Sequence, residues 1–279
     1  NIHPTIYIQC RRETLYKLKR WCCLSDFEPR HFSAFDVSVR FYVCEMMGRF
    51  DFMLMKLPLL LITGLLFGQD WANLNKYTMV NKKLETLGPN ENRVVFMGNS
   101  ITEGWSTFLP EFFSGKNYIN RGISGQTTPQ MLIRFRPDVI DLRPSAVVIL
   151  AGINDIAENT GPSTVKMITD NIVSMAELAE SNGIKVILSS ILPANDFTWN
   201  SGLNPPPKIL AVNMFLKNYA ENNRMNYIDY YSAMVDEKEG LKKEYGEDGV
   251  HPNKKGYEIM SILVEHAIAE TLDLKSDKQ

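Results

Sequence analysis

Arg93-Val-Val-Phe-Met97-Gly98-Asn99-Ser100-Ile101-Thr102 decides how this chain is read. Arg93 to Met97 is short, β-branched and aromatic, the composition of a buried strand, and it stops on a glycine followed by small polar residues, the composition of a tight turn. Four further runs repeat the first half of that pattern: Asn117-Tyr-Ile-Asn120, Ala146-Val-Val-Ile-Leu150, Lys185-Val-Ile-Leu-Ser189 and Met225-Asn-Tyr-Ile-Asp229. Helical periodicity fills the intervals. The clearest example runs from Ser163 to Ser181, with Ile168, Ile172, Met175, Leu178 and Ala179 at spacings of three and four, Ser163 as N-cap and Gly183 as the stop. Other helical stretches are Trp71 to Leu87, Thr128 to Phe135, Pro207 to Asn222 and Asn253 to Leu272. Strand and helix in strict turn predict a five-stranded parallel sheet covered on both faces, a three-layer α/β/α sandwich. Ligands of such sheets lie beyond the carboxyl ends of the strands, so the residues after each strand are the ones to read for chemistry.

Composition narrows the partners. With 30 Lys plus Arg against 32 Asp plus Glu, the 279-residue chain has a formal charge of -2 and no long basic tract, so it lacks the electrostatic footprint of a nucleic-acid binder. Its 44% hydrophobic and 22% charged residues are those of a soluble globular protein of one or two domains. All four cysteines, Cys10, Cys22, Cys23 and Cys44, precede residue 50, which leaves none in the remainder to pair or to bind zinc.

A second boundary follows from hydropathy. Met55 and Lys56 precede the apolar run Leu57-Pro-Leu-Leu-Leu-Ile-Thr-Gly-Leu-Leu-Phe-Gly68, and polar Gln69-Asp70 come next. One basic residue before about a dozen apolar ones fits a bacterial secretory signal peptide and is too short for a membrane span of about 20 residues. A buried element of the mature fold is the competing reading of so short a run. On the signal reading, residues 1–54 are a non-native upstream segment, or else a small N-terminal element. Residues 55–68 are then the signal, and residues 69–279 are a secreted or periplasmic domain with no stable membrane insertion after cleavage. No Cys follows the run to carry a lipid anchor.

Within residues 69–279, four polar blocks stand at strand ends or in a late loop. They are Gly98-Asn99-Ser100-Ile101-Thr102, Asn120-Arg121-Gly122-Ile123-Ser124-Gly125, Gly152-Ile153-Asn154-Asp155 and Asp248-Gly249-Val250-His251-Pro252-Asn253. In composition and chain order they resemble the SGNH hydrolases, the GDSL-type esterase and acylhydrolase family, in its secreted bacterial branch. The resemblance spans Arg93 to the end of the chain and implies a flavodoxin-like fold and ester hydrolysis without a cofactor. By it, Ser100 is the nucleophile and Asp248 and His251 complete a catalytic triad. Ser100, Gly122 and Asn154 furnish the oxyanion hole. One position departs from the family: Asn99 stands where an Asp is usual.

The residue types suit that chemistry independently. A serine hydroxyl needs a base within hydrogen-bond reach, and neutral imidazole is the side chain fitted for it near pH 7. Of the four histidines, His3 and His31 precede the apolar run and His266 lies in a helical pattern, which leaves His251. Asp248, three residues earlier in a Gly-containing loop, can fold back to accept the Nδ1 proton. A metal gathered by Asp248, His251 and Asp155 is the competing reading, but no second His or Cys stands at ligand spacing. Neither a phosphate-binding loop nor a dinucleotide fingerprint follows the first strand.

Specificity is read from loops. Pro193 to Pro207 is long, irregular and carries Phe197 and Trp199, and Trp105 follows the nucleophile turn. An aromatic rim with Asn and Asp neighbours suits a sugar ring, although either Trp can instead pack beneath its loop. The expected substrate is therefore a small-molecule or carbohydrate ester carrying a short acyl group, with acetyl first. The competing readings are a lysophospholipase, thioesterase or platelet-activating-factor-type acetylhydrolase, and a carbohydrate-binding module that has lost catalysis. The sequence does not specify an oligomeric state.

Overall fold

The computed structural model describes residues 70–86 and 92–273. The expected upstream segment, 1–54, and the apolar run, 55–68, lie outside the described residues. Five strands form one sheet: β1 (Val94–Gly98), β2 (Tyr118–Gly122), β3 (Ala146–Leu150), β4 (Lys185–Ser189) and β5 (Asn226–Ile228). Every pairing is parallel, and the order is β2-β1-β3-β4-β5. The helices among the described residues are α1 (Thr78–Thr86), α2 (Ser100–Phe108), α3 (Thr128–Asp138), α4 (Ile153–Ile156), α5 (Val165–Ser181), α6 (Pro206–Asn222), α7 (Tyr230–Met234) and α8 (Lys254–Thr271).

The reason for this arrangement is visible in burial. β1 and β3 are buried at every position, as their unbroken apolar sequences require of central parallel strands, whereas β2 at the sheet edge is only half-buried over Tyr118 to Asn120. From β1 the chain steps to β2 on one side, and every later step runs the other way. Right-handed crossovers then place α2 and α8 on one face and α3, α5 and α6 on the other. The packing agrees: α2 touches α8, α3 touches α5, and α5 touches α6. Strand order reverses between β1 and β3, so the crevice for a ligand opens at the carboxyl ends of those two strands.

Most boundaries moved by a few residues, whereas the first helix lost its expected opening turns over residues 71–77. The N-cap of α5 is Thr164, whose hydroxyl accepts the Met167 N–H at 3.2 Å, one residue beyond Ser163. Helix α1 starts only at Thr78, because the Asp70 carboxylate binds the Leu74 and Asn75 N–H groups and Asn73 has a φ of 54°, which winds residues 70–77 into turns. Helix α3 continues to Asp138 past the expected Phe135, with Pro137 in its last turn. Helix α2 goes beyond the sequence reading, which sees only a turn after β1.

Candidate active site

The site begins where β1 ends. Asn99 caps α2: its side-chain oxygen accepts the Ile101 N–H at 3.0 Å and its carbonyl accepts the Glu103 N–H at 2.9 Å. An amide oxygen caps as a carboxylate oxygen would, so Asn in place of the family's Asp keeps the turn. Ser100 is thereby the first helical residue, half-buried at the strand end, and its own N–H is one of the first-turn groups without an intrahelical acceptor.

From the far end of the chain, the loop before α8 brings His251 to Ser100. Ser100 Oγ lies 2.9 Å from His251 Nε2, and His251 Nδ1 lies 2.6 Å from Asp248 Oδ2. The other Asp248 oxygen accepts the Val250 N–H at 2.9 Å and the His251 N–H at 2.7 Å. Partial burial works against the charge on Asp248, but the His251 N–H, the His251 ring and the Val250 N–H together hold its carboxyl below the ordinary range. An ionised carboxylate only accepts, so Nδ1 carries the ring proton and Nε2 is left to accept from Ser100. Serine, imidazole and carboxylate thus stand in one hydrogen-bonded line.

The loop after β2 requires a correction. Gly122 is not in that loop: β2 runs through it, paired in register with Gly98. Its N–H donates to Asn120 Oδ1 at 2.8 Å and is not free to meet a substrate. A Cβ at Gly122 would lie 2.1 Å from the Glu103 nitrogen and 2.7 Å from the Asn99 carbonyl oxygen, so the glycine is there to let β2 pack against the start of α2. Further along, Ile123 N–H donates to the Gly98 carbonyl, Ser124 N–H to Glu103, Gln126 N–H to the Ile123 carbonyl and Thr127 N–H to Gln130. Gly125 remains, exposed, at a φ of 76° and with open space where a Cβ would be. Among the described residues its N–H has no acceptor, which makes Gly125 the donor available to a ligand.

Asn154 arrives from the end of β3 on the short helix α4. It is buried, and its amide donates to the Gln126 carbonyl at 3.0 Å, which leaves the second amide hydrogen for a ligand. Beside it, Asp155 is buried and accepts from the Thr128 N–H at 2.9 Å and the Thr128 hydroxyl at 2.6 Å. Desolvation outweighs those bonds and pushes its carboxyl up to about 6. The turns carrying Ser100, Gly125 and Asn154 therefore share the carboxyl edge of three adjacent strands.

The expected aromatic rim divides. Trp105 is 1% exposed, stacked on Phe112 and edge-on to Phe96, with its indole N–H on Ser261 Oγ at 3.2 Å, so it is core and offers no surface to a sugar. Phe197 is fully buried and supports Trp199 from beneath, at 5.2 Å between ring centroids. Trp199 is the member that faces solvent, 46% exposed and 6.2 Å from the His251 ring. His266 sits on the surface of α8, 3.6 Å from Glu270.

Sequence reasoning also missed Glu103. Its carboxylate accepts the Ser124 N–H at 2.7 Å and the Ser124 hydroxyl, and pairs with Lys76. Partial burial opposes its charge, but these partners keep its carboxyl below the usual range. A Glu on the first turn of α2 was the available signal. Among the described residues, no group of three or more His, Cys, Asp or Glu could hold a metal ion, and no helix is long and apolar enough to cross a membrane.

A serine hydroxyl, an imidazole and convergent N–H groups at a switch point are groups suited to acyl transfer, the chemistry of hydrolases of ester-type bonds. The model of the GDSL-like Lipase/Acylhydrolase family matches residues 96–259, more than half of the chain, and the chain belongs to that family. A candidate acylhydrolase of Bacteroides fragilis, known from its crystal structure, is 51% identical with a TM-score of 0.71, over 73% of this chain and 99% of that one. Esterase TesA of Pseudomonas aeruginosa is 27% identical over 161 residues, 56% of this chain and 73% of TesA. An uncharacterized lipoprotein, YqeF of Bacillus subtilis, is 36% identical over 117 residues, so the match covers 36% of this chain and about half (48%) of YqeF.

Proposed function

We propose that this chain is a serine esterase that removes a short acyl group, acetyl first, from a carbohydrate ester. The observation that carries the proposal is the unbroken line from Ser100 Oγ through His251 to Asp248, at 2.9 Å and 2.6 Å. Ser100 attacks the ester carbonyl while His251 Nε2 takes its proton, and the oxyanion forms against the N–H groups of Ser100 and Gly125 and the Asn154 amide. His251 then hands the proton to the departing alcohol. Water, deprotonated by the same nitrogen, attacks the acyl-enzyme and frees the acid and Ser100. Asp248 holds the tautomer and stabilises the imidazolium throughout.

The half-exposed indole face of Trp199 beside His251 supports a sugar on the alcohol side, since the nitrogen that protonates the alcohol must border it. The apolar run before Gln69 and the lipoprotein name of the Bacillus relative support export from the cytoplasm. Rates on p-nitrophenyl esters of increasing acyl length test the substrate reading. The expected result is highest kcat/KM on acetate, and a rise with chain length would overturn it in favour of a lipid or thioester substrate. A purified protein that hydrolyses no activated ester and resists a fluorophosphonate would be a binding module.

A further inference from the structure

Asn159 joins three parts of the site that the proposed mechanism uses separately. Its backbone N–H donates to the Asn154 carbonyl at 3.0 Å. Its side-chain nitrogen donates to the Gly125 carbonyl at 3.2 Å, and its side-chain oxygen accepts the Trp199 indole N–H at 3.0 Å. The loop bearing Trp199 has a second tie to the same segment, from the Asn200 amide to the Ala157 carbonyl at 3.0 Å. Asn159 itself is exposed and packs into no core, so a steric role does not account for a side chain with both amide ends engaged.

We infer that Asn159 is a positioning residue that sets the Gly125 donor with one end of its amide and the Trp199 wall of the alcohol subsite with the other. The inference deepens the esterase proposal and rests on it. Gly125 has a positive φ and no side chain, so its N–H, which belongs to the preceding peptide, can swing about its Cα; the bond from Asn159 to the Gly125 carbonyl anchors the peptide on the other side of that Cα and limits the swing. Trp199, 46% exposed, rests on Phe197 by ring contact alone, and the bond to Asn159 is its one side-chain hydrogen bond among the described residues. A single amide serves both because it is at once a donor and an acceptor, and the two functions can be removed one at a time.

The test uses two acetates that share the acyl group and differ in the alcohol, p-nitrophenyl acetate and a monoacetylated methyl glucoside. Asn159→Asp keeps the acceptor for Trp199 and loses the donor to Gly125, so kcat falls about tenfold or more on both esters while KM for the glucoside holds, in line with the ~10²-fold that a 1 Å misplacement can cost. Trp199→Phe loses the indole donor together with part of the ring face and raises KM for the glucoside several-fold more than for p-nitrophenyl acetate. Asn159→Ala shows both defects. If Asn159→Asp and Asn159→Ala keep wild-type kcat within twofold on a wild-type enzyme that hydrolyses both esters, the inference is overturned and the esterase proposal stands. A uniform loss in all three variants, matched by lower Tm, would reduce Asn159 to a structural tie and also overturn it. A wild-type protein inert on both esters would remove the esterase proposal itself.

Discussion

Asp248 holds His251 from two directions: Oδ2 receives the ring Nδ1 at 2.6 Å, and Oδ1 receives the backbone N–H of the same residue at 2.7 Å. One carboxylate thus fixes both the position of the histidine and the tautomer of its ring. Asp248→Asn separates the two duties. The amide oxygen can still take the Val250 and His251 N–H groups, while the amide nitrogen would face Nδ1 as a second donor and drive the proton to Nε2. The expected result is a fall in kcat of about 10²–10⁴ on p-nitrophenyl acetate with little change in Tm. Retained activity in Asp248→Asn would show that the pairing does not set the tautomer.

The two glycines after Asn120 should lose stability to different degrees, and for different reasons, on replacement by alanine. At Gly122 the new methyl meets backbone atoms of Glu103 and Asn99, neither of which can move without moving α2 and Ser100 with it. Gly122→Ala should lose stability at or above the upper end of the ~1–3 kcal/mol range of overpacking. At Gly125 the methyl meets nothing within 4 Å, and only the φ of 76° opposes it, a cost of roughly 1–2 kcal/mol. Chemical denaturation of the two variants reads the difference. Equal losses would contradict the division into a packing glycine and a site glycine.

How far the sequence carries is clear from that pair. The alternation of apolar runs and helical stretches is set by burial periodicity, and it gives the parallel sheet, its five strands and the turns at Ser100 and Asn154. The Asp248–His251 contact was legible because three residues of loop can close it. What failed was a strand end. Reading β2 as stopping at Asn120 puts Gly122 in the loop, whereas pairing with Gly98 carries the strand two residues further and shifts the free N–H to Gly125. Pairing partners come from elsewhere in the chain, so no local window reveals them. Trp105 failed for a related reason: its neighbours Phe96, Phe112 and Tyr257 come from three other segments. Asn159 carries no local signal at all.

Trp105 and Trp199 should separate stability from binding. Trp105 is enclosed by aromatic rings and hydrogen-bonded to Ser261, so Trp105→Ala should cost about 3–5 kcal/mol of stability. Trp199→Ala, at a half-exposed position, should leave the denaturation midpoint nearly unchanged and raise KM for a sugar acetate. A Trp105→Ala protein as stable as wild type would mean that the ring is not part of the core.

Asp155 gives the chain a pH dependence opposite in sign to that of Asp248. Desolvation raises the Asp155 carboxyl to about 6 in the folded protein, against about 3.9 when unfolded, so between those values the native state holds a proton that the unfolded chain has released. Stability from this residue is therefore greatest below the unfolded value and declines as pH rises towards 6, by an amount on the order of 3 kcal/mol. Asp248, with its carboxyl held low, contributes stability that is present above the unfolded value and lost as pH falls through the folded one. Asp155→Asn removes only the first effect. Unfolding free energies of wild type and Asp155→Asn, measured from pH 4 to pH 7, should diverge in favour of the variant as pH rises towards about 6 and level off above it, whatever constant offset the new amide introduces at Thr128. A constant difference across that range would place the Asp155 carboxyl near its ordinary value and contradict its burial without a cationic partner.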